Sequence, residues 1–302
     1  MNVLDKFRVL RRHIGLIRRP ITELLDGFCD REIEWLRITP EPQVAADPFG
    51  LIRNGRLHVF FEFKPYEQLD AFIAHVEVDL NGRPSTAQPV LKLSHHLSYP
   101  CLFEFRGELY MVPETAQARE VSLYRCTRFP DCWEKAAVIL PGVVSVDSTV
   151  FQWEGRWWLS GAGGPNSAEL SLWHAMDPRG PWRPHPRNPV KVDLASSRPA
   201  GTPFIRGDVL FRPAMDNVGG YGKRIVLNRV TVLSPDEFDE EPATWLEPTA
   251  GSFCPMGRHH LAAVGSFTLV DGSRKSLLTN PVKLAQKLRT KFVPAKRASP
   301  GT

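Results

Sequence analysis

Residues 46–63 read ADPFGLIRNGRLHVFFEF, two short runs with alternating apolar residues joined by Asn54-Gly55. Asn-Gly between such runs is the strongest short-range signal for a β-hairpin, because a two-residue turn of this kind needs positive φ at both central residues. The layout recurs as SYPCLFEFRGELYMVPET (98–115), VDSTVFQWEGRWWLSGAG (146–163) and RPAGTPFIRGDVLFRPAM (198–215). Aligning Gly55, Gly107, Gly155 and Gly207 gives a period of about 50 residues, the spacing of propeller blades.

Between the hairpins lie further alternating runs at 72–82, 121–140, 170–190 and 225–248, three of them carrying a tryptophan at 133, 182 or 245. Each repeat thus supplies about four strands, one blade. Residues 259–271 (HHLAAVGSFTLVD) start a fifth hairpin, and residues 31–38 are placed to close it from the other end of the chain. The fold class is all-β, a five-bladed β-propeller over 31–277. An N-terminal amphipathic helix is expected within 1–30, and a short basic tail, partly disordered, over 278–302. The 27 prolines argue against long helices in the body.

The aligned positions carry the chemistry. Eight residues before the turn glycines stand Asp47, Tyr99, Asp147 and Pro199; seven after stand Glu62, Glu114, Ala162 and Ala214. In a two-residue hairpin Arg53 pairs with Arg56, which sets Asp47 opposite Glu62, Tyr99 opposite Glu114 and Asp147 opposite Ala162. Directly opposed residues have Cβ atoms about 5 Å apart, so Asp47 and Glu62 are expected to be coupled carboxylates. Equivalent hairpin ends converge on one mouth of a propeller's channel. Asp47, Glu62, Glu114 and Asp147 are therefore the candidate catalytic residues.

Other residues are placed near the same mouth as candidate substrate binders. His95-His96 and His259-His260 precede strands, where alternation lets one member of each pair face the channel. Tyr99 stands where the first and third hairpins carry an acid. Arg198 and Arg212 bracket the fourth hairpin with Asp216 and Tyr221, each arginine either a partner for carboxylates or a fork for an anionic ligand. His185, in the rigid loop WRPHPRNPV, is a rim candidate. Ligand spacing supports no metal site, and no cofactor is expected.

The formal charge of +5 is unevenly spread. Residues 1–20 hold a net +5 and residues 283–302 a net +6, which leaves about −6 for the body. A nucleic-acid reader carries its basic patch on the folded surface, so nucleic acid is not an expected partner. Five cysteines without a CxxC pair argue against a disulfide framework or a zinc knuckle. No apolar run reaches transmembrane length and the first residues lack a signal-peptide core, so a cytoplasmic location is expected. Val3, Leu4, Phe7, Leu10, Ile14 and Ile17 fall at helical spacing among arginines, so residues 1–20 are expected to form a basic helix able to touch the anionic inner face of a membrane.

ADPFG near the start, with further acids on later hairpin ends, resembles the five-bladed propellers of glycoside hydrolase families 43 and 32. More closely, ADPFGL, HHLSYP, MVPET, VDST, GPWxPHPxNPV, RPAG, RPAMD and the HHL element at 259–261 resemble, in order over about 44–272, the N-terminal domain of plant glucosamine inositolphosphorylceramide transferases and its bacterial relatives. In the plant proteins a separate C-terminal domain is the recognised transferase, and none is expected within these 302 residues. The hydrolase resemblance implies Asp47 as base or nucleophile, while Tyr99 replaces the acid those families carry in the second blade. Three functions are carried forward: a glycosyltransferase of cell-surface glycan assembly using an activated sugar, a glycoside hydrolase, and a non-catalytic propeller that binds glycan or protein. A sugar nucleotide or glycan is the expected partner.

Overall fold

The computed structural model describes residues 8–79 and 81–277. The described chain starts with β1 (Arg8–Ile17), passes through 3-10 turns at Ile21–Asp26 and Asp30–Glu32, and reaches β2 (Ile33–Trp35). The first blade is β3 (Val44–Arg53), β4 (Arg56–Lys64), β5 (Phe72–Val78) and β6 (Gln88–Leu91); the second is β7 (Ser98–Phe105), β8 (Glu108–Glu114), β9 (Glu120–Arg128) and β10 (Cys132–Pro141). The third holds β11 (Val146–Trp153), β12 (Arg156–Gly163), β13 (Glu169–Ala175) and β14 (Arg183–Pro184), with the short β15 (Lys191–Val192) also on β13. The fourth is β16 (Phe204–Arg206), β17 (Val209–Asp216), β18 (Arg224–Leu233) and β19 (Phe238–Leu246). The fifth joins β20 (Leu261–Val264) and β21 (Phe267–Leu277) to β1 and β2, so the two ends of the described chain close a five-bladed propeller.

The expected helix at the N-terminus is a strand over residues 8–17. β1 pairs antiparallel with β21 along its whole length, Arg8 opposite Leu277 through Ile17 opposite Thr268, and touches β3 at Arg12–Val44. Residues 31–38, expected to close the fifth blade, supply only its outer strand. The reason lies in burial: Ile14, Gly15, Leu16 and Ile17 are all buried, as in a strand covered on both faces, and such a strand loses the alternation that betrays it. A Cβ at Gly15 would sit 2.4 Å from Ile33 Cγ2, so glycine there lets β2 lie against β1. The helix behind the expectation of membrane contact is thus absent over 8–17; residues 1–7 and the tail at 278–302 lie outside the described residues. No helix among the described residues is long and apolar enough to cross a membrane.

Turn chemistry sets the blade register. Asn54-Gly55, Arg106-Gly107 and Glu154-Gly155 all have positive φ at both positions, the type I′ pattern that matches strand twist. In the fourth and fifth blades only Gly207 and Gly265, the first residue of each turn, have positive φ. Gly207 therefore corresponds to Asn54, and the fourth-blade equivalent of Asp47 is Ala200 in place of the expected Pro199.

A second correction concerns the carboxylate pairing. Glu62 lies opposite Ala46, Glu114 opposite Ser98, and Ala162 opposite Val146, and in each blade the register shifts by one before the next pair. The extra residues are β-bulges, and Asp47, Tyr99 and Asp147 within them have φ of 51°, 47° and 52°. A bulge re-aims a side chain and leaves its backbone unpaired with the neighbouring strand. Three blades thus turn the same position out of the ladder, toward the propeller axis.

The core fills the spaces between blades. Phe60, Ile73, Leu97, Met111 and Tyr124 pack between the first and second, Phe151, Trp158 and Leu210 between the third and fourth, and Ile17, Leu24, Phe204, Met215, Leu227 and Val270 between the fourth and fifth. Each such side chain contributes about 1.5–3 kcal/mol by leaving water.

Candidate functional site at the channel mouth

The freed backbone N–H groups of two bulges are captured by acids from the preceding blade. Asp47 N–H donates to Asp271 Oδ2 at 3.3 Å, and Asp147 N–H to Glu114 Oε2 at 3.3 Å. Each bond ties one blade to the next and at the same time fixes an acid beside the acid of the bulge. Asp271 takes two further N–H groups on Oδ1, from His259 and His260, both at 3.0 Å.

His259 Nδ1 lies 2.5 Å from Asp271 Oδ2 and 3.5 Å from Asp47 Oδ1. Burial alone would raise the Asp271 pKa, but His259 and Arg12 outweigh it and hold this carboxyl below the usual range. His259 is pushed down by burial and then by Arg12, with Asp271 pulling the other way. The pair is a carboxylate that orients an imidazole, the arrangement that fixes which ring nitrogen carries a proton.

Glu114, Glu62 and Asp47 are driven toward their protonated forms. Glu114 is pushed up to about 8, first by burial and then by the charge of Asp147. Glu62 is raised to about 7 by burial, against the pull of Arg12 and Lys64. Asp47 is raised well above the ordinary range by burial, then by Asp147, Glu62 and Asp271. Asp147 has a counter-ion: Arg198 Nε reaches its Oδ2 at 2.5 Å, and both side chains are largely buried. Near neutral pH the mouth therefore combines the protonated Glu114 carboxyl with the ionised Asp271 carboxylate, the division of labour that acid–base chemistry requires.

Two guanidinium groups rest against the half-exposed Tyr221 ring, Arg198 at 5.0 Å and Arg12 at 5.1 Å, and the ring meets His259 edge-on at 5.5 Å. Arg12 comes from β1 and forms no hydrogen bond or ion pair through its side chain among the described residues. Sequence reading assigned it to a membrane-facing helix and so missed it. Asp271 was missed as well, although an acid inside the apolar run FTLVD was its signal.

The residues expected at the mouth divide into two groups. Asp47, Glu62, Glu114, Asp147, Arg198, Tyr221 and His259 come together there. His96 Nε2 lies 3.6 Å from Glu62 Oε1 on the rim, and His95 Nδ1 bonds the His96 carbonyl at 3.0 Å. Tyr99 is fully buried: its hydroxyl bonds Thr149 Oγ1 at 2.7 Å and accepts from Gly201 N–H at 2.8 Å, while its ring meets Phe49 and His260. It touches all four other blades and acts as the axle of the propeller. His260, also fully buried, packs on Phe49 at 4.6 Å, and burial lowers its pKa to about 4.

Three others serve the scaffold. Arg212 is buried and clamps Glu240 and the carbonyls of Ser196 and Ser197. Asp216 holds Val218 N–H at 2.9 Å and Arg224 Nε at 2.7 Å. His185 is buried in its own loop, where its Nδ1 accepts from Arg187 N–H at 3.2 Å. Arg212 and Asp216 are fully engaged within or between outer strands, as burial demands, while His185 Nε2 is buried without a hydrogen-bond partner among the described residues.

Asp47, His259 and Asp271 each bring one potential metal ligand atom within 4.8 Å of the others. Both Asp271 oxygens already accept N–H donors and Arg12 adds positive charge, so these three fit a proton relay better than a cation.

Over residues 38–262 the chain matches the family model described as "Glucosamine inositolphosphorylceramide transferase 1, N-terminal". Glucosamine inositolphosphorylceramide transferase 1 of Arabidopsis thaliana is 33% identical over 246 residues, covering 76% of this chain and 32% of that protein. The protein of the same name from Oryza sativa subsp. japonica is 31% identical over 246 residues, 76% of this chain and 33% of that protein. The chain thus spans about a third of the length of these curated relatives. Among solved structures, Zg3597, a family 117 glycoside hydrolase of Zobellia galactanivorans, aligns with a TM-score of 0.55 at 14% identity, over 80% of this chain and 92% of its own. A thermostable family-43 glycoside hydrolase aligns with a TM-score of 0.51 at 11% identity, over 69% and 78%. Identities this low establish a shared propeller fold and leave function to the site. The chain belongs to the family of glucosamine inositolphosphorylceramide transferase 1 N-terminal domains.

Proposed function

We propose that the channel mouth is the active centre of a carbohydrate-active enzyme of glycan assembly, a glycosyltransferase that draws on an activated sugar. The observation that carries this reading is the charge pattern around Asp47. The raised carboxyls of Glu114 and Glu62 stand beside the Asp147–Arg198 and Asp271–His259 pairs, close to Arg12, which rests on Tyr221 and forms no ion pair among the described residues. Hydroxyl-rich sugars are bound by such mixed donors and acceptors. In the transfer, the bond between the anomeric carbon and the leaving oxygen breaks and its electron pair leaves with that oxygen. An acceptor hydroxyl forms the new bond and loses its proton to a basic group of the mouth. Asp47, once ionised, and His259 are placed to take that proton; Glu114 is placed to donate one. The names of the curated relatives support a role in glycan or sphingolipid assembly.

Glycoside hydrolysis is the second reading. It is supported by the fold shared with hydrolases and by the same acid set, with water in place of the acceptor hydroxyl. Incubating the protein with a panel of nucleotide sugars and glycan acceptors, and separately with oligosaccharides alone, distinguishes the two by whether product gains or loses a sugar.

A further inference from the structure

Beside the mouth, on the seam between the fifth and first blades, lies a cavity of about 380 Å³. Ligand pockets typically span roughly 300–1,000 Å³ and combine an apolar lining with a few convergent polar groups. Here the apolar side is Trp35, Leu36, Ile38 and Phe253, and the polar side is Arg12, His13, Arg37 and Glu41.

Arg12 belongs to both places. It lines the cavity, yet its guanidinium stands 5.1 Å from the Tyr221 ring and its charge acts on Asp47, Glu62 and Asp271. Arg12 and the exposed Arg37 form no ion pair among the described residues, and Arg37 has no acid within reach of its head group there. Glu41, the acid on the same wall, is engaged by Arg11 and does not neutralise them. The Nε2 of His13 is buried without a hydrogen-bond partner among the described residues. Phe253 is 44% exposed, with Trp35 at 5.5 Å and inclined by only 32° to it. Arg274 lies over the Phe253 ring at 4.2 Å and His13 meets it edge-on at 5.2 Å, so guanidiniums without an ion pair and a partly exposed aromatic cluster share one wall, a surface for a ligand that is anionic at one end and planar at the other.

We propose that this cavity seats the nucleoside diphosphate half of the activated sugar, with the base against Phe253 and Trp35, the diphosphate on Arg12 and Arg37, and the sugar reaching the carboxyls past Arg12. The proposal rests on the reading of the mouth as a glycosyl-transfer site. It also accounts for β1 serving two ends: one strand closes the propeller and carries the arginine shared by cavity and mouth.

The test is isothermal titration calorimetry of the full chain with uridine diphosphate and adenosine diphosphate. Arg37→Ala and Phe253→Ala are the main variants, because both side chains are exposed enough to be removed without unfolding the blade. A charge-assisted contact from Arg37 and an aromatic stack on Phe253 each account for up to roughly tenfold in affinity, so each substitution is expected to weaken binding by about that factor at unchanged melting temperature. Asp47→Asn, by contrast, is expected to leave diphosphate binding nearly intact while removing turnover. The proposal is overturned if neither diphosphate binds, or if both bind Arg37→Ala and Phe253→Ala as tightly as the wild type. A wild type that transfers or cleaves sugars without recognising either diphosphate keeps the reading of the mouth and removes this one.

Discussion

The Tyr99 hydroxyl bonds Thr149 Oγ1 at 2.7 Å, and the same oxygen accepts the Gly201 N–H at 2.8 Å. One phenol therefore joins the second, third and fourth blades. Gly201 is itself fixed, since a Cβ there would lie 1.8 Å from the Leu261 carbonyl oxygen and its φ is 134°.

Tyr99→Phe removes that oxygen and leaves the buried Gly201 N–H without its acceptor. The expected cost is about 1–3 kcal/mol, seen as a lower denaturation midpoint, with ligand affinity little changed. Unchanged stability with weakened sugar binding would instead make Tyr99 part of the ligand surface.

Arg198 and Asp147 form a largely buried pair, 14% and 4% exposed. Removing one partner strands the other charge, so Arg198→Met is expected to destabilise by roughly 3–5 kcal/mol. Arg198→Met with Asp147→Asn should recover much of that loss, and a double-mutant cycle on melting data measures the recovery.

Stability should depend on pH in a direction set by Glu114 and Glu62. Both have folded pKa values raised, to about 8 and about 7, above their ordinary 4.5. The folded state therefore binds more protons than the unfolded chain, and this stabilisation is lost as pH rises through those values. His13, His75 and His260, lowered to about 4, are neutral in both states above their ordinary 6.5 and do not oppose the trend there. The melting temperature is expected to fall between about pH 7 and 8.5, with a change on the order of 1 kcal/mol, and Glu114→Gln should flatten the slope. A rising or flat profile in the wild type would contradict the protonated state of Glu114.

The strand at Arg8–Ile17 also makes a prediction. Ile14 is fully buried in it, so Ile14→Ala should destabilise by about 2–4 kcal/mol, and deleting residues 1–17 should prevent folding of the fifth blade. Thermal melts followed by circular dichroism decide this; a truncated chain with wild-type stability would mean that β1 is dispensable.

Much of this architecture is legible in the sequence, and the exceptions have physical causes. Asn54-Gly55 and its counterparts reveal the hairpins because few residues accept a left-handed backbone. The bulges at Asp47, Tyr99 and Asp147 are invisible to a period-2 reading, since an extra residue shifts register without altering composition. That is why Glu62 lies opposite Ala46 when Asp47 was expected there. β1 was hidden because a strand buried on both faces does not alternate, and with it went Arg12. The arginines and histidines behaved unevenly: Arg198 and His259 stand in the mouth, while Arg212 and His185 satisfy local backbone groups, a distinction that depends on neighbours far away in the chain.

Glycosyl chemistry at the mouth is proposed to run through the carboxyl set around Asp47. The most direct measurement is product formation by mass spectrometry from nucleotide sugars with glycan acceptors, comparing wild type with Asp47→Asn. Turnover is expected from the wild type and a loss of roughly a hundredfold or more in the variant, with melting temperatures within a few degrees of each other. Equal turnover by the two proteins, or sugar binding by the wild type with no product from any donor or oligosaccharide, would contradict it.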